Sequence, residues 1–248
     1  MAFHFPSRMD LRGQGTSVTV KVTRERRRTL MASVGRSELL LRIPSHMPSA
    51  NWEEAWLWFT SWVSGLLEKN PNVLNHLIPR SYADGELMSV RGTVFRLRLI
   101  SIPGRTASVS LRPQQVIQLR IPDAFSKVET NAVIGRLIER IMCRVYRDPI
   151  AKRVHALNEQ HFRGSVKAIE VTAAKSRWGS CTSTGTIRIS SRLLLAPDSV
   201  VDYVIVHELA HLFEMNHSTR FWKLVADAMP DYKKYERWLK ANASLCRY

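Results

Sequence analysis

The chain has 248 residues, 45% of them hydrophobic, enough for one large domain or two small ones and too apolar for a disordered chain. Its 37 Lys and Arg against 21 Asp and Glu leave a formal charge of +16, which suits polyanions such as nucleic acid, nucleotides or anionic lipid heads. No apolar run approaches the roughly 20 residues of a membrane span, and three widely spaced cysteines, Cys143, Cys181 and Cys246, exclude a disulfide framework or a cysteine zinc knuckle. The opening MAFHFPSRMD lacks the apolar middle of a signal peptide, so a cytoplasmic protein with reduced thiols is expected. The charge is spread evenly: 17 basic and 9 acidic residues up to position 124, 20 and 12 beyond it.

VTVKVT (residues 18–23) alternates as a strand with Val18, Val20 and Val22 on one face. ELLLRIP (38–44) reads as another, reached through a turn near Gly35, and the RERRR run between them (24–28) as a solvated strand edge. In NWEEAWLWFTSWVSGLLEKN, Asn51 and Glu54 have capping-box spacing, and Trp52, Trp56, Phe59, Val63 and Leu66 share one helical face. ADGELMSVRGTVFRLRLIS suits a hairpin, with turns or a bulge at Asp84-Gly85 and Gly92, and TASVSLRPQQVIQLRIP adds one or two strands.

From Glu129 the period becomes helical. Ile134, Leu137, Ile138, Ile141 and Val145 form the apolar face, and Arg136, Arg140, Arg144 and Arg147 form a basic stripe. Pro149 kinks or restarts this helix. VKAIEVTAA (166–174) and TIRIS (186–190) read as strands joined by the loop KSRWGSCTSTG, followed by helices over 199–215, 218–229 and 231–243. No internal repeat is visible, and the change of period near residue 125 is the only candidate boundary. The chain therefore reads as α+β: a mainly β region over 1–124 with one Trp-rich helix, and a helical region with a short sheet over 125–248.

The segment VIVHELAHLFEMNH (204–217) holds the chemistry. Helical residues four apart lie about 40° apart around the axis and about 6 Å along it, so His207 and His211 can point at one cation. Glu208 falls on the adjoining face, in reach of a water beside that cation. Val200, Val201, Val204, Ile205, Leu209 and Leu212 supply an apolar side, where unpartnered histidines and a glutamate would be costly to bury. Asp198 or Ser199 is expected to cap this helix after Pro197. A catalytic zinc takes three protein ligands. His217 is the favoured third, brought back by a left-handed turn at Asn216 and held by a Ser218 cap; Glu214 is the competitor.

SRWGSCTSTGTIRISSRLLLAPDSVVDYVIVHELAHLFEMNHSTRFWKLVADAMPDY resembles the YgjP-like metallopeptidase family, related to SprT-type and other zincin-fold proteins. The R-W-G-S-C segment, the H-E-L-x-H helix, the N-H-S-x-x-F-W turn and P-D-Y carry the likeness in order, and RRRTL, the Trp helix and the DGE and RG pairs extend it upstream. The resemblance implies a zincin-like catalytic domain over the C-terminal half, or one continuous domain over 20–243. It implies Zn²⁺, or another divalent cation, on His207, His211 and His217, with Glu208 as general base and the 186–190 strand beside the metal helix.

Two substrate classes follow. A peptide or protein carbonyl suits metal-activated water, with Arg177 and Tyr203 as candidate oxyanion donors. A nucleoside triphosphate anhydride, an activity also attributed to the family, would use the flanking cations Lys175, Arg177, Arg188 and Arg192, and Trp178 joins this substrate-binding set. A third class is a basic nucleic-acid binder, or a protease acting near nucleic acid. Cys181 reads as a packed loop residue rather than a nucleophile.

Overall fold

The computed structural model describes residues 4–11, 16–35, 37–78 and 80–248. The chain divides into two compact units, Met1–Pro79 and Arg80–Tyr248. The expected boundary near residue 125 thus falls inside the second unit. Residues 1–3, 12–15, 36 and 79 of the expected β region lie outside the described residues.

In the first unit, β1 (Arg8–Leu11), β2 (Thr16–Glu25), β3 (Met31–Val34) and β4 (Leu39–Pro44) form a sheet in the order β1-β2-β4-β3. The central pair β2/β4 is parallel, and β1 and β3 are antiparallel to their neighbours. Alternation sends Val18, Val20, Leu39, Leu41 and Ile43 to one face, where α1 (Trp52–Lys69) covers them with Phe59 and Val63. The Asn51 side chain makes no capping bond, because a single 3-10 turn over Ser49–Asn51 leads into the helix instead. The RERRR run is not a sheet edge: Arg24 and Glu25 end the central strand β2, paired with β4, and the rest lies beyond it. An Arg24 guanidinium N–H donates to the Ser45 carbonyl (2.6 Å) and Arg27 Nε donates to that of Thr29 (2.7 Å).

The second unit opens with β5 (Leu87–Val90), β6 (Thr93–Ile102), β7 (Ser108–Arg112), β8 (Val116–Pro122) and α2 (Lys127–Val145). Its sheet order is β5-β6-β8-β7, with a parallel β6/β8 centre and antiparallel edges. This repeats the first unit's topology strand for strand. Phe95 and Leu97 take the places of Val18 and Val20, and Ile117, Leu119 and Ile121 those of Leu39, Leu41 and Ile43, all of them buried. The tetrapeptide LRIP recurs at 41–44 and 119–122. A structural repeat is therefore present where the sequence reading expects none.

The hairpin between β5 and β6 turns through Arg91 (φ +48°) and Gly92 (φ +76°), two left-handed residues suited to a tight two-residue turn. An Arg91 guanidinium nitrogen lies 2.7 Å from the Asp198 carboxylate, tying this tip to the start of the helix that carries His207. Ser126 and Glu129 form a full capping box on α2, and Tyr146 ends that helix with its hydroxyl donating to the Val90 carbonyl (2.7 Å). Pro149 stands in the first turn of α3 (Arg147–His161), so the helix restarts there.

The remainder is β9 (Ala168–Thr172), β10 (Gly179–Cys181), β11 (Thr186–Ser190), α4 (Asp198–Ala210), α5 (Thr219–Ala228) and α6 (Tyr232–Asn242). β11 pairs in parallel with β9 and antiparallel with β10, giving the order β10-β11-β9. One hydrophobic core runs from Met88 to Cys246 and joins the second sheet to every following layer. The fold is thus mixed α and β, with three sheets and six α-helices among the described residues. No helix among them is long and apolar enough to cross a membrane.

Leu119, fully buried on β8, fixes this layering. Leu119→Ala is expected to cost about 2–5 kcal/mol of unfolding free energy, and Arg120→Ala on the exposed face less than about 0.5 kcal/mol. Urea titration of the two variants measures both.

Candidate metal centre

α4 presents the central residues. Val200, Val201, Val204, Ile205 and Leu209 are buried along it, as the apolar pattern anticipates. Its N-cap is Pro197 with no side-chain cap; Asp198 lies in the first turn, where a carboxylate favours the helix dipole. The helix stops at Ala210, with His211 as its right-handed C-cap (φ −66°, ψ −15°), rather than running on to Met215. Backbone bonds from Leu212 to Leu209 and from Phe213 and Glu214 to Ala210 close the end, and Asn216 has no left-handed φ. Ser218 then caps α5 by accepting from the Phe221 amide, as expected, and His217 is returned beside α4.

The three imidazoles converge. One ligating nitrogen from each of His207, His211 and His217 lies within 4.8 Å of the others. Nε2 of His207 and Nε2 of His217 are 3.0 Å apart. The Glu214 carbonyl accepts a hydrogen bond from His211 Nδ1 (3.0 Å), which leaves Nε2 as that ring's ligand atom. Glu214 therefore serves through its backbone, and its carboxylate is not among the converging groups. Phe221 lies against all three rings at 4.5–4.9 Å between centroids and is fully buried. Burial holds the His207 pKa down at about 4, with His211 and His217 adding to the effect, and burial also lowers His211. Both are neutral at pH 7, the form that binds metal. Neutral imidazoles whose ring nitrogens converge on one point are what a divalent cation would join; His207 Nδ1, on the far side of its ring, is buried without a hydrogen-bond partner.

Glu208 is only 5% exposed. Burial pushes its pKa up to about 8, and the Arg177 charge pulls in the opposite direction. Its carboxyl lies against Gly179 on β10, where a Cβ would stand 2.5 Å from Oε1. Burial likewise raises the Cys181 thiol to about 11, so it is no ready nucleophile. Tyr203 packs edge-on to His207 and stacks on Tyr232, with its pKa raised by burial to about 12.

The residues singled out for substrate part into two groups. Arg177 and Arg188 line a cleft of about 400 Å³ with Thr172, Gly179, Ser180 and Ser190. Arg188 is already bonded there through Nε to Glu170 (2.7 Å). Arg192 donates to the carbonyls of Lys175 (2.8 Å), Ala243 (2.8 Å) and Cys246 (2.9 Å) and lies 4.3 Å over the Trp178 ring. Arg192, Trp178 and the Lys175 backbone thus brace the loop that leads into β10. A second cleft, of about 360 Å³, lies at the other end of the short sheet and includes His211, Leu212, Phe213 and Met215.

Three features of the site escape the sequence reading. β10 reads there as loop, and Gly179 and Phe221 sit inside quoted motifs without a role.

The chain belongs to the YgjP-like family: the family model, described as a YgjP-like metallopeptidase domain, matches residues 28–242. It is 26% identical over 88 residues to the UTP pyrophosphatase of Escherichia coli (strain K12), a match over 36% of this chain and 53% of that protein. It thus spans about half the length of this curated relative. Among solved structures it is similar to the metallopeptidase zymogens abylysin of Pyrococcus abyssi (21% identity, TM-score 0.34, 37% of this chain and 92% of that one) and jannalysin of Methanocaldococcus jannaschii (20%, 0.34, 38% and 96%). The family's metallopeptidase character implies a divalent metal.

Gly179→Ala forces the β10 backbone or the Glu208 carboxyl to move. It is expected to cost about 1–3 kcal/mol of stability while the three imidazoles still take up metal. Denaturant unfolding and a metal titration of the same variant check the two halves.

Proposed function

We propose that this protein is a zinc-dependent peptidase with a zincin-like site over the C-terminal half of the chain. The observation that carries the reading is the convergence of three inward-facing imidazoles, with no fourth protein ligand among the described residues, beside a buried carboxyl on the same helix. His207, His211 and His217 would hold the ion, and three nitrogens with an open position suit catalytic zinc. Zinc held there would supply Lewis acidity and make water easier to deprotonate near neutral pH.

The remaining roles belong to the chain. Glu208 takes a proton of the attacking water on its carboxylate and returns it to the leaving amine; a cation on the three imidazoles would oppose the effect of burial and favour that ionised form. The Glu214 carbonyl orients His211, and Phe221 packs the three rings. β10 pairs with β11 alone among the described strands, so its other edge offers backbone groups to an extended peptide. Such a peptide would run between the cleft holding Arg177 and the one rimmed by exposed Phe213 and Met215.

The phosphoanhydride reading has less support in the geometry. Of the four flanking cations, Arg188 and Arg192 are engaged by protein partners, which leaves Lys175 and Arg177 for phosphates.

Glu208→Gln is expected to keep its zinc and lose about 10²-fold or more in turnover of a peptide substrate. Full activity in that variant refutes the general base, and pyrophosphate release from UTP without cleavage of any peptide in a panel overturns the peptidase reading. His217→Ala is expected to bind zinc at least about 10-fold more weakly. Undiminished zinc affinity, read by competition with a chelator, removes His217 from the ligand set.

A pH signature follows from the buried carboxyl. The folded pKa of Glu208, about 8, lies above its ordinary value of 4.5. The folded state therefore holds this proton more tightly than the unfolded chain, and the stabilisation, whole below the unfolded value, is lost as pH rises towards 8. In chelator, the stability of Glu208→Gln relative to the parent should rise between pH 5 and 8 by a few kcal/mol at most and then level off. A difference that stays flat across that range contradicts the shift.

A further inference from the structure

The basic stripe of α2 plays no part in the metal site. Arg136, Arg140, Arg144 and Arg147 all face solvent, and none of them has an ion pair or hydrogen bond to the described residues. Three lie on α2 at four-residue spacing and the fourth opens α3. The series runs over the twelve residues 136–147, a rise of about 16 Å along a helix axis.

Some exposed cations of the later helices have an acidic partner, while others, such as Lys152, Arg220 and Lys234, have none among the described residues. Lys223 pairs with Asp227 on α5 and Lys240 with Glu236 on α6, each at 2.7 Å and four residues apart. Arg153 on α3 is held by Asp202 (2.6 Å). On α2 the four-residue neighbours are like charges instead, Arg136 with Arg140 and Arg140 with Arg144. Each such pair destabilises a helix by a few tenths of a kcal/mol. The two acids inside α2 do not offset them: Glu129 closes the Ser126 cap at the far end, and Glu139 is buried against Ser191. Repulsion kept on one face fits an external anion, since Asp148, the exposed acid beside Arg147, pairs with none of the four arginines. All four residues are arginine, whose planar fork binds phosphate through two parallel bonds.

A membrane surface fits less well. From Glu129 to Arg147 the exposed positions are Glu129, Ala132 and the four arginines, so this stretch has no large apolar side chain to place among acyl chains. Val128, exposed in the first turn of α2, stands alone as an apolar group. A strand rising about 3.4 Å per nucleotide would lay about five phosphates along the stripe.

We propose that the Arg136–Arg140–Arg144–Arg147 face of α2 and α3 is a binding surface for the phosphate backbone of nucleic acid. It reads charge and spacing and not base sequence, since backbone contacts carry no sequence information. The surface is independent of the metal-site reading and stands or falls separately from it.

The test is fluorescence anisotropy of the full chain with labelled duplex and single-stranded oligonucleotides of mixed sequence across a salt series, beside co-sedimentation with phosphatidylserine vesicles. The parent is expected to bind oligonucleotide with affinity that falls steeply with salt. Replacing all four arginines by glutamine should weaken duplex binding about 10-fold or more near 100 mM salt and make the log–log salt slope shallower by about 3.6, or by about 2.8 for a single strand. Arg140→Glu creates two opposite-charge neighbours in place of two like ones. It should raise the melting temperature slightly while weakening oligonucleotide binding, a combination that loss of folding cannot produce. Unchanged affinity and slope in the glutamine variant, no binding by the parent, or binding to vesicles alone would each overturn the proposal.

Discussion

The site half of the molecule is organised around the desolvation of polar groups on α4. A helix buried along most of its length carries two imidazoles and a carboxyl inward. In water the carboxyl would be ionised and the imidazoles would charge on mild acidification, and burial opposes both: His207 is held neutral, and Glu208 keeps its proton well above the ordinary carboxylate range. The neighbouring elements answer to these buried groups. α5 brings Phe221 against the three rings, the turn after α4 returns His217 and places the Glu214 carbonyl on His211, and β10 carries a glycine where the Glu208 carboxyl lies. Removing any one of these would leave a buried polar group with worse surroundings and nothing gained.

The parts of this arrangement that were legible from residues alone are those with fixed helical spacing. Two histidines four apart with a glutamate between them, on an apolar helix, announce themselves because the 3.6-residue turn leaves few other purposes for that pattern. The return of His217 was readable too, through the Ser218 cap. The end of the helix was not. Leu212 and Phe213 continue the apolar period past His211, whereas the chain turns through backbone bonds to Leu209 and Ala210 without a glycine or a left-handed asparagine to mark the place. β10 is hidden for a related reason. It is three residues long, set among Ser, Thr and Gly, and is a strand because β11 supplies its ladder.

The repeated sheet shows the same limit at larger scale. Both copies fill equivalent inward positions with apolar residues of different shape, Val18 and Val20 against Phe95 and Leu97. The pattern of burial persists while identity does not, so apart from LRIP nothing repeats as letters. The strand order is also hard to anticipate, because sequential strands usually pair. Here β2 passes over β3 to pair with β4, and β6 passes over β7 to pair with β8. The apparent boundary near residue 125 has the same origin: the period changes from strand to helix there, yet α2 buries Ile134, Leu137 and Ile138 in the core that also holds Leu119.

Arg192 shows how the same residue type can carry opposite meanings. Beside a metal-site motif in a chain of charge +16, an arginine suggests an anion. In the fold its guanidinium is half-buried, donates to three backbone carbonyls and lies over Trp178. An arginine can do this because its planar head has five donors and a face that stacks, where a lysine has a single charged point. The carbonyls belong to the loop before β10 and to the last turns of the chain, so one side chain holds both at a set distance. That loop leads to Gly179, whose lack of a side chain makes room for Glu208. With Arg188 also bonded, to Glu170, the charge near the carboxyl is supplied chiefly by Arg177, the residue whose field opposes the effect of burial on Glu208. A site so arranged has its cations engaged mainly in holding geometry, which suits positioning a neutral carbonyl beside a base better than it suits gathering several phosphates.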